Sequence, residues 1–392
     1  LIAESLIINA KIILPHRVIP RGWLIVRHGR IAAFGQGEVT KTTSSQDEII
    51  FDADGKTLLP GFIDVHVHGG AGSEAMDATP DAINTMSAFY ASHGVTAFLA
   101  TTWTDSRSRI QAALENIAAL TGTQLNGAAL IGAHIEGPFL NPARSGAQNL
   151  ADIRRAEPDE ALAFLDTGAV RLLALAPEYP ENHWLIRECA QRGIAVSAAH
   201  TAATYDQMCA AVEMGLTQTT HTYNAMTGLH HREPGTLGAA LTLPQLRCEL
   251  IGCYAHVHPA AMQVLWLTKG AHGVILVTDA VRGAGMPDSS YTINDRVVTI
   301  KDGAARLDDG TLAGSTVTFD DAVRNFMGAT GEPLENIWQT TSLNAARAVG
   351  VSARKGSIEI GKDADLILVD SQINVALTMV EGRIVYTEKD NQ

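Results

Sequence analysis

The stretch "FIDVHVHGG", residues 62–70, alternates apolar residues with Asp64, His66 and His68, and Gly69 and Gly70 end it. This is the pattern of a strand with one polar face. A surface strand seldom sets two histidines and a carboxylate on one face. The three residues therefore read either as metal ligands or as the solvated side of a strand that stops at a turn. The chain around them decides what kind of strand this is. Further short apolar runs follow: "VTAFLATT", "AALIGAHIEG", "VRLLALAPE", "IAVSAAHT", "TQTTHTYN", "CELIGCYAH" and "GVILVTDA". Between the runs lie amphipathic stretches of helical length, among them "PDAINTMSAFYASHG", "SRIQAALENIAAL", "DEALAFLDTG" and "ENHWLIRECAQRG". Strands separated in this way by helices predict parallel β/α units, and eight is the count that closes a barrel. The fold class read here is α/β, a (β/α)8 TIM-type barrel. A doubly wound open sheet is the structural alternative.

Both ends of the chain read differently. "LIINAKIIL", "GWLIVRHGRIAAFG" and "EIIFDADGKTLLPG" are strand-like, with "RHGR" and "DADG" as turns. The far end, "GSIEIGKDADLILVD" and "VALTMVEGRIVY", has the same character. The chain is expected to leave one small sheet or sandwich and later rejoin it. Residues 1–59 and 348–392 would then form a small β-sandwich domain from both termini, and residues 60–347 the barrel.

At 392 residues, 46% apolar and 18% charged, the chain can bury the core of a sizeable enzyme. Its formal net charge of −13 argues against nucleic acid or an anionic membrane surface as a partner. No apolar run approaches the length of about 18 residues that a membrane span needs. The opening "LIAESLIINAKIILPHRVIP" lacks the charged, apolar and small-residue succession of a secretory leader. Cys189, Cys209, Cys248 and Cys253 form no C-x-x-C pair and no disulfide-like framework. A cytoplasmic location is the expectation.

In a barrel of this type the active site lies at the C-terminal ends of the strands. The first run ends in His66 and His68, the third in Glu136, the fifth in His200, the sixth in His221 and the eighth in Asp279. Taken singly, each has an ordinary explanation: a hydrogen-bonded histidine, a turn cap at Glu136, a helix cap at Asp279. Taken together, ligand-type residues at five separate strand ends converge on one rim and point to a metal centre. The set exceeds what one tetrahedral ion needs, so it could hold two, bridged by Glu136. One or two divalent ions are expected, zinc first, with iron or manganese also accepted by imidazole and carboxylate ligands. Such an ion acidifies a bound water to a nucleophile near neutral pH. Asp279 can take the proton of that water and deliver it to a leaving group. The reaction class is hydrolysis of an amide, ester or imine-like carbon.

The His-x-His of the first run, the later strand-end histidines and the final Asp resemble the amidohydrolase superfamily. More narrowly, "HIEGPFLNPARSGAQ", "AAHTAAT", "THTYNAMTGLHHREPG", "VTDA" and "DGTLAGST" resemble the N-acetylglucosamine-6-phosphate deacetylase family, N-acetylgalactosamine-6-phosphate deacetylases included. The resemblance runs from "LLPGFIDVHVHGG" to "GKDADLILVD". It implies that Glu136, His200 and His221 hold one ion, with Asp279 as acid and base. His66 and His68 would favour a second ion. It also implies an amino-sugar phosphate as substrate and a homodimer in which Arg232 of "LHHREPG" reaches the neighbouring subunit's site to bind phosphate. His256 matches another substrate-contacting histidine. Ala147 and Gln148 would lie near the acetamido group, Asn224 and Ala225 near the sugar or phosphate, and Leu312, Ala313 and Gly314 in the wall of the sugar pocket.

One departure stands out. Where the family commonly has Asp-Gly before the residue matched by His256, this chain has Cys253 and Tyr254, a change expected to reshape the rim at the seventh strand. Rival readings are a galacto-configured substrate, a different amidohydrolase reaction such as deamination or cyclic-amide hydrolysis, and a non-catalytic sugar-phosphate binder. "HHREPG" speaks against the second and Asp279 against the third. "GAGSEA", residues 70–75, mimics a dinucleotide fingerprint, but the next strand ends in threonines rather than an acid. Asp64, further from the strand end, is expected to be structural.

Overall fold

A computed structural model describes residues 4–39, 49–293 and 295–388. Phe62–Val67, Val95–Thr102, Ala129–Glu136, Val170–Leu175, Ala195–Ala198, Gln218–Thr219, Arg247–Ile251 and Val274–Val277 are eight parallel strands. Each pairs with the next in chain order, as right-handed β/α crossovers dictate. The helices lie where amphipathic spacing predicts them, for instance Pro80–Ser92, Arg107–Leu120, Pro158–Asp166 and His183–Gln191. Local chemistry sets their limits: Thr79 caps Pro80–Ser92 by accepting from the Ala82 amide, with Pro80 at the first position.

The barrel is nearly closed. Between its eighth and first strands the Asp279 amide donates to the His66 carbonyl at 2.9 Å. The Thr278 hydroxyl donates to Asp64 Oδ2 at 2.5 Å, and the His66 amide to Asp64 Oδ1 at 3.2 Å. Asp64 is thus a structural bridge across the seam. Burial pushes its carboxyl up to about 7, against the hydrogen bonds from Thr278 and His66.

Simple alternation puts Asp64, His66 and His68 on one face; the structure does not. Ile63 and Val65 belong to the cluster inside the barrel, whereas Val67 packs outside with the helices. The ladder to the second strand shifts register between Asp64 and Val67, and this irregularity exchanges the faces. The inner cluster also contains Leu99, Ile131, Leu172, Ile275 and Val277, and Ala345 and Ala346 of helix Leu343–Ala348 pack into it.

Strands from both termini form one hydrogen-bonded, eight-stranded sheet, with Thr57–Pro60 joining Ser5–Ile13 to Leu366–Val369. Its two faces are both apolar: Leu58, Leu366 and Leu368 enter a core of its own, and Leu59, Ile367 and Val369 pack against the outside of the barrel. A further four-stranded antiparallel sheet, Ser290–Ser315, follows the eighth barrel strand. Alternation in "YTI" and "RVVTIK" and the Asp-Gly pairs 302–303 and 309–310 were its only sequence signals. Its last strand, Leu312–Ser315, runs beside Asp279.

Candidate metal centre and substrate cavity

Glu136 is the last residue of the third strand; His68, His200, His221 and Asp279 lie one or two residues past the ends of theirs. His200, His221 and Asp279 have φ of 43°, 32° and 50°, a left-handed backbone that non-glycine residues adopt rarely and at a cost. The Ser315 amide donates to the Asp279 carbonyl at 2.8 Å and helps hold that turn. Gly314 makes this approach possible. At its φ of 70°, a Cβ would lie 2.4 Å from Val281 Cγ1 and 2.9 Å from the Asp279 carbonyl oxygen.

Glu136 sits at the middle of the centre. Its Oε1 lies 3.0 Å from His221 Nε2 and 3.2 Å from His200 Nε2, and its Oε2 lies 3.2 Å from His68 Nε2. Asp279 Oδ1 lies 3.3 Å from His68 Nε2 and 3.5 Å from His66 Nε2. Two donor groups result, His66/His68/Glu136 and Glu136/His200/His221, each with ligand atoms within 4.8 Å of one another and all buried. Among the described residues the Nε2 atoms of His66 and His68 have no hydrogen-bond partner, although carboxylates surround them. Buried imidazole nitrogens left unpartnered among carboxylates fit a divalent cation, and sharing Glu136 fits two.

The electrostatics agree with this. Burial opposes charge on His66, His68 and His221, yet Asp279 and Glu136 lift all three above the usual imidazole range. Burial likewise opposes ionisation of Glu136 and Asp279. The surrounding histidines nevertheless hold Glu136 well below the ordinary carboxylate range, and His66 and His68 hold Asp279 below it. The centre is built to attract positive charge.

The groups open onto a cavity of about 490 Å³. Ala147, Gln148, Asn224, Ala225, His256, Leu312 and Gly314 line it, together with Glu136, His200, His221 and Asp279. Gln148 is tied into the centre: its Nε2 donates to Glu136 Oε2 at 2.7 Å, and its Oε1 accepts from the Thr104 amide at 2.8 Å. Burial and the His221 charge lower the basicity of His256, against the pull of Asp279. Ala313 is buried beside the lining rather than in it, and Arg232 is exposed and outside it, its Nη1 2.8 Å from His231 Nε2. Cys253 packs with the inner cluster, and Tyr254 is exposed with its hydroxyl on the Asn325 carbonyl at 2.9 Å. Neither lines the cavity, whereas Ile251 and His256 on either side of them do.

Several site residues escaped sequence reasoning. Trp103, directly after the second strand, stacks on His68 with ring centres 3.8 Å apart. His134, two residues before Glu136, packs its ring edge-to-face with His66 at 4.6 Å. Glu249, inside the seventh strand, meets His66 Nδ1 at 3.0 Å. Asp309 and Thr311 bring the inserted sheet to the cavity. An acid or histidine at an inward position of a strand was the available signal for Glu249 and His134, but inward positions cannot be named before the barrel is assembled.

An eight-stranded parallel barrel with carboxylate and imidazole donors at its C-terminal rim defines a metal-dependent hydrolase. Residues 57–385 match the Amidohydrolase family, and the chain belongs to that family. It is 38% identical over 394 residues to the N-acetylglucosamine-6-phosphate deacetylase of Bacillus subtilis, covering 99% of each chain. It is also 39% identical to the N-acetylgalactosamine-6-phosphate deacetylase of Escherichia coli O157:H7, over 86% of this chain and 89% of that one. The crystal structure of N-acetylglucosamine-6-phosphate deacetylase from Pasteurella multocida superposes with a TM-score of 0.91 at 28% identity, covering 97% of this chain and 99% of that one.

Proposed function

We propose that this chain removes the acetyl group of N-acetylglucosamine 6-phosphate, giving glucosamine 6-phosphate and acetate. The observation that carries the reading is the placement of Asp279 across from two donor groups sharing Glu136, at the floor of a cavity large enough for a sugar phosphate. The relatives' activities point to the same bond. A divalent ion held by Glu136, His200 and His221, and a second held by His66, His68 and Glu136, would acidify water and polarise the acetamide carbonyl. Zinc suits the donor set, as do iron and manganese.

The chain's own groups supply the remaining chemistry. Asp279 accepts a proton from the attacking water and returns it to the sugar nitrogen as the C–N bond breaks, so one water is consumed and acetate and amine leave. Gln148, held by Thr104, fixes Glu136 and presents its edge to the acetamido group. His256, half-buried and held below the usual imidazole range, can donate to a substrate oxygen. Asn224, Ala225, Leu312, Ala313 and Gly314 form or support the sugar wall. Arg232, exposed in its own protomer, would bind phosphate in the site of a second copy, which makes a homodimer part of the reading. Four free cysteines suit a reducing cytoplasm, and among the described residues no helix is long and apolar enough to cross a membrane. We assign residues 60–347 to the barrel and residues 1–59 and 348–392 to the terminal unit, with the sheet read as a sandwich wrapped around its own core.

A galacto-configured substrate is the second reading, because the chain is as similar to an N-acetylgalactosamine-6-phosphate deacetylase, at 39% identity, as to N-acetylglucosamine-6-phosphate deacetylases, at 38–39%. Acetate release from the two epimeric 6-phosphates, with metal content measured on the same preparation, separates the readings. Release from neither ends both.

A further inference from the structure

Glu249 belongs to neither donor group, yet both its oxygens are engaged at the centre. It stands on the seventh barrel strand with no solvent exposure. Its Oε2 lies 3.0 Å from His66 Nδ1, and its Oε1 accepts from Gln218 Nε2 at 3.1 Å. Gln218 is equally buried, so the carboxylate is gripped from one side and meets His66 with the other.

We propose that Glu249 is the positioning residue of the His66/His68 half of the centre and sets whether that half keeps its ion. The inference rests on the two-ion reading above. A carboxylate only accepts hydrogen bonds, so in the neutral ring that would bind a metal the hydrogen sits on His66 Nδ1 and the lone pair is on Nε2. That Nε2 has no hydrogen-bond partner and lies 3.7 Å from Glu136 Oε1 and 3.5 Å from Asp279 Oδ1. Glu249 thereby fixes both the tautomer and the direction in which His66 can bind.

The two halves differ in how they are supported. His200 places its Nδ1 2.8 Å from the Arg144 carbonyl, a neutral acceptor that any side chain at that position would supply. His68 and His221 leave Nδ1 without a partner, and His68 is steadied by stacking on Trp103. Among the described residues of the centre, His66 alone sets its Nδ1 on a charged side chain, and a carboxylate acceptor makes an imidazole a stronger ligand. The outer support of the second ion is therefore concentrated in one replaceable residue.

The test uses full-length wild type, Glu249→Leu and Glu249→Gln, each stripped of metal and titrated separately with zinc and with manganese. Bound ions per chain are counted by mass spectrometry of the desalted protein, affinities are read by calorimetry, and metal-free unfolding is followed by circular dichroism. Wild type should bind two ions. Glu249→Leu should keep one at near wild-type affinity and bind the other about 10–100-fold more weakly. Glu249→Gln should recover the second ion, because its Oε1 still accepts from His66 and Gln218 can turn its unpartnered Oε1 toward the new amide. If Glu249→Leu does not fold, Gln218→Leu loosens the carboxylate without removing it and should weaken the same single ion. Two ions at wild-type affinity in Glu249→Leu or, failing that variant, in Gln218→Leu would overturn the assignment, as would equal weakening of both. Wild type binding one ion instead removes the two-ion reading itself.

Discussion

Replacing Asp279 with asparagine tests the division of labour at this centre most directly. The change keeps the size of the side chain and removes its ability to take a proton. Among the described residues, no other carboxylate lining the cavity is free to replace it. Both oxygens of Glu136 are committed to His68, His200, His221 and Gln148. Asp309 lines the outer cavity, and its hydrogen bonds to Thr311 keep it a weak base. Positioned acid–base groups contribute about 10²–10⁴-fold, and without a substitute the loss should fall in the upper part of that range. A drop in kcat of about 10³–10⁴-fold corresponds to roughly 4–5.5 kcal/mol of barrier. Metal content should hold, because each donor group keeps three ligands without Asp279. The acid limb of the wild-type pH profile, which reports the shuttle carboxylate, should vanish in the variant. The assay is acetate release against pH with ion counts on the same sample. A fall in kcat of less than tenfold with the ions retained would refute the proton-shuttle role, and loss of ions would make Asp279 chiefly a ligand.

Arg232→Ala should raise KM for phosphorylated substrate while leaving KM for the unphosphorylated sugar unchanged; equal effects would dissolve the phosphate assignment. Gly314→Ala should lower kcat with little change in metal content, since the new Cβ presses on the Asp279 carbonyl and on Val281; unchanged kinetics would show that the turn can yield. Asp320 offers a stability test away from the centre. Burial disfavours its anion, but His93 at 3.0 Å and Arg324 at 2.8 Å help hold it down to about 2. With the unfolded value near 3.8, the difference is worth about 2 kcal/mol, present in full above pH 3.8 and lost as pH falls toward 2. Asp320→Asn should therefore lower thermal stability at pH 7 and converge with wild type near pH 2; parallel curves across that range would discount the ion pair.

Much of the architecture was legible in the order of residues. Eight apolar runs separated by helices predict parallel β/α units because strand and helix periodicities are local, and the count of eight favoured a barrel over the open sheet that the same pattern allows. The strand-end residues His66, His68, Glu136, His200, His221 and Asp279 could be grouped in advance because such a barrel sends all its strand ends to one rim. What periodicity could not supply was the sense of individual side chains. The register shift between Asp64 and Val67 sets Asp64 apart from His66 and turns it to the seam. His66 meets Glu249 across 183 residues of sequence, and that contact exists only because the barrel brings the seventh strand's inward face toward the first. The inserted sheet that braces Asp279 was hidden because its strands are short and half-exposed. Local pattern determines which elements form and which ends carry chemistry, whereas the partners of each buried polar group depend on distances that only the folded chain fixes.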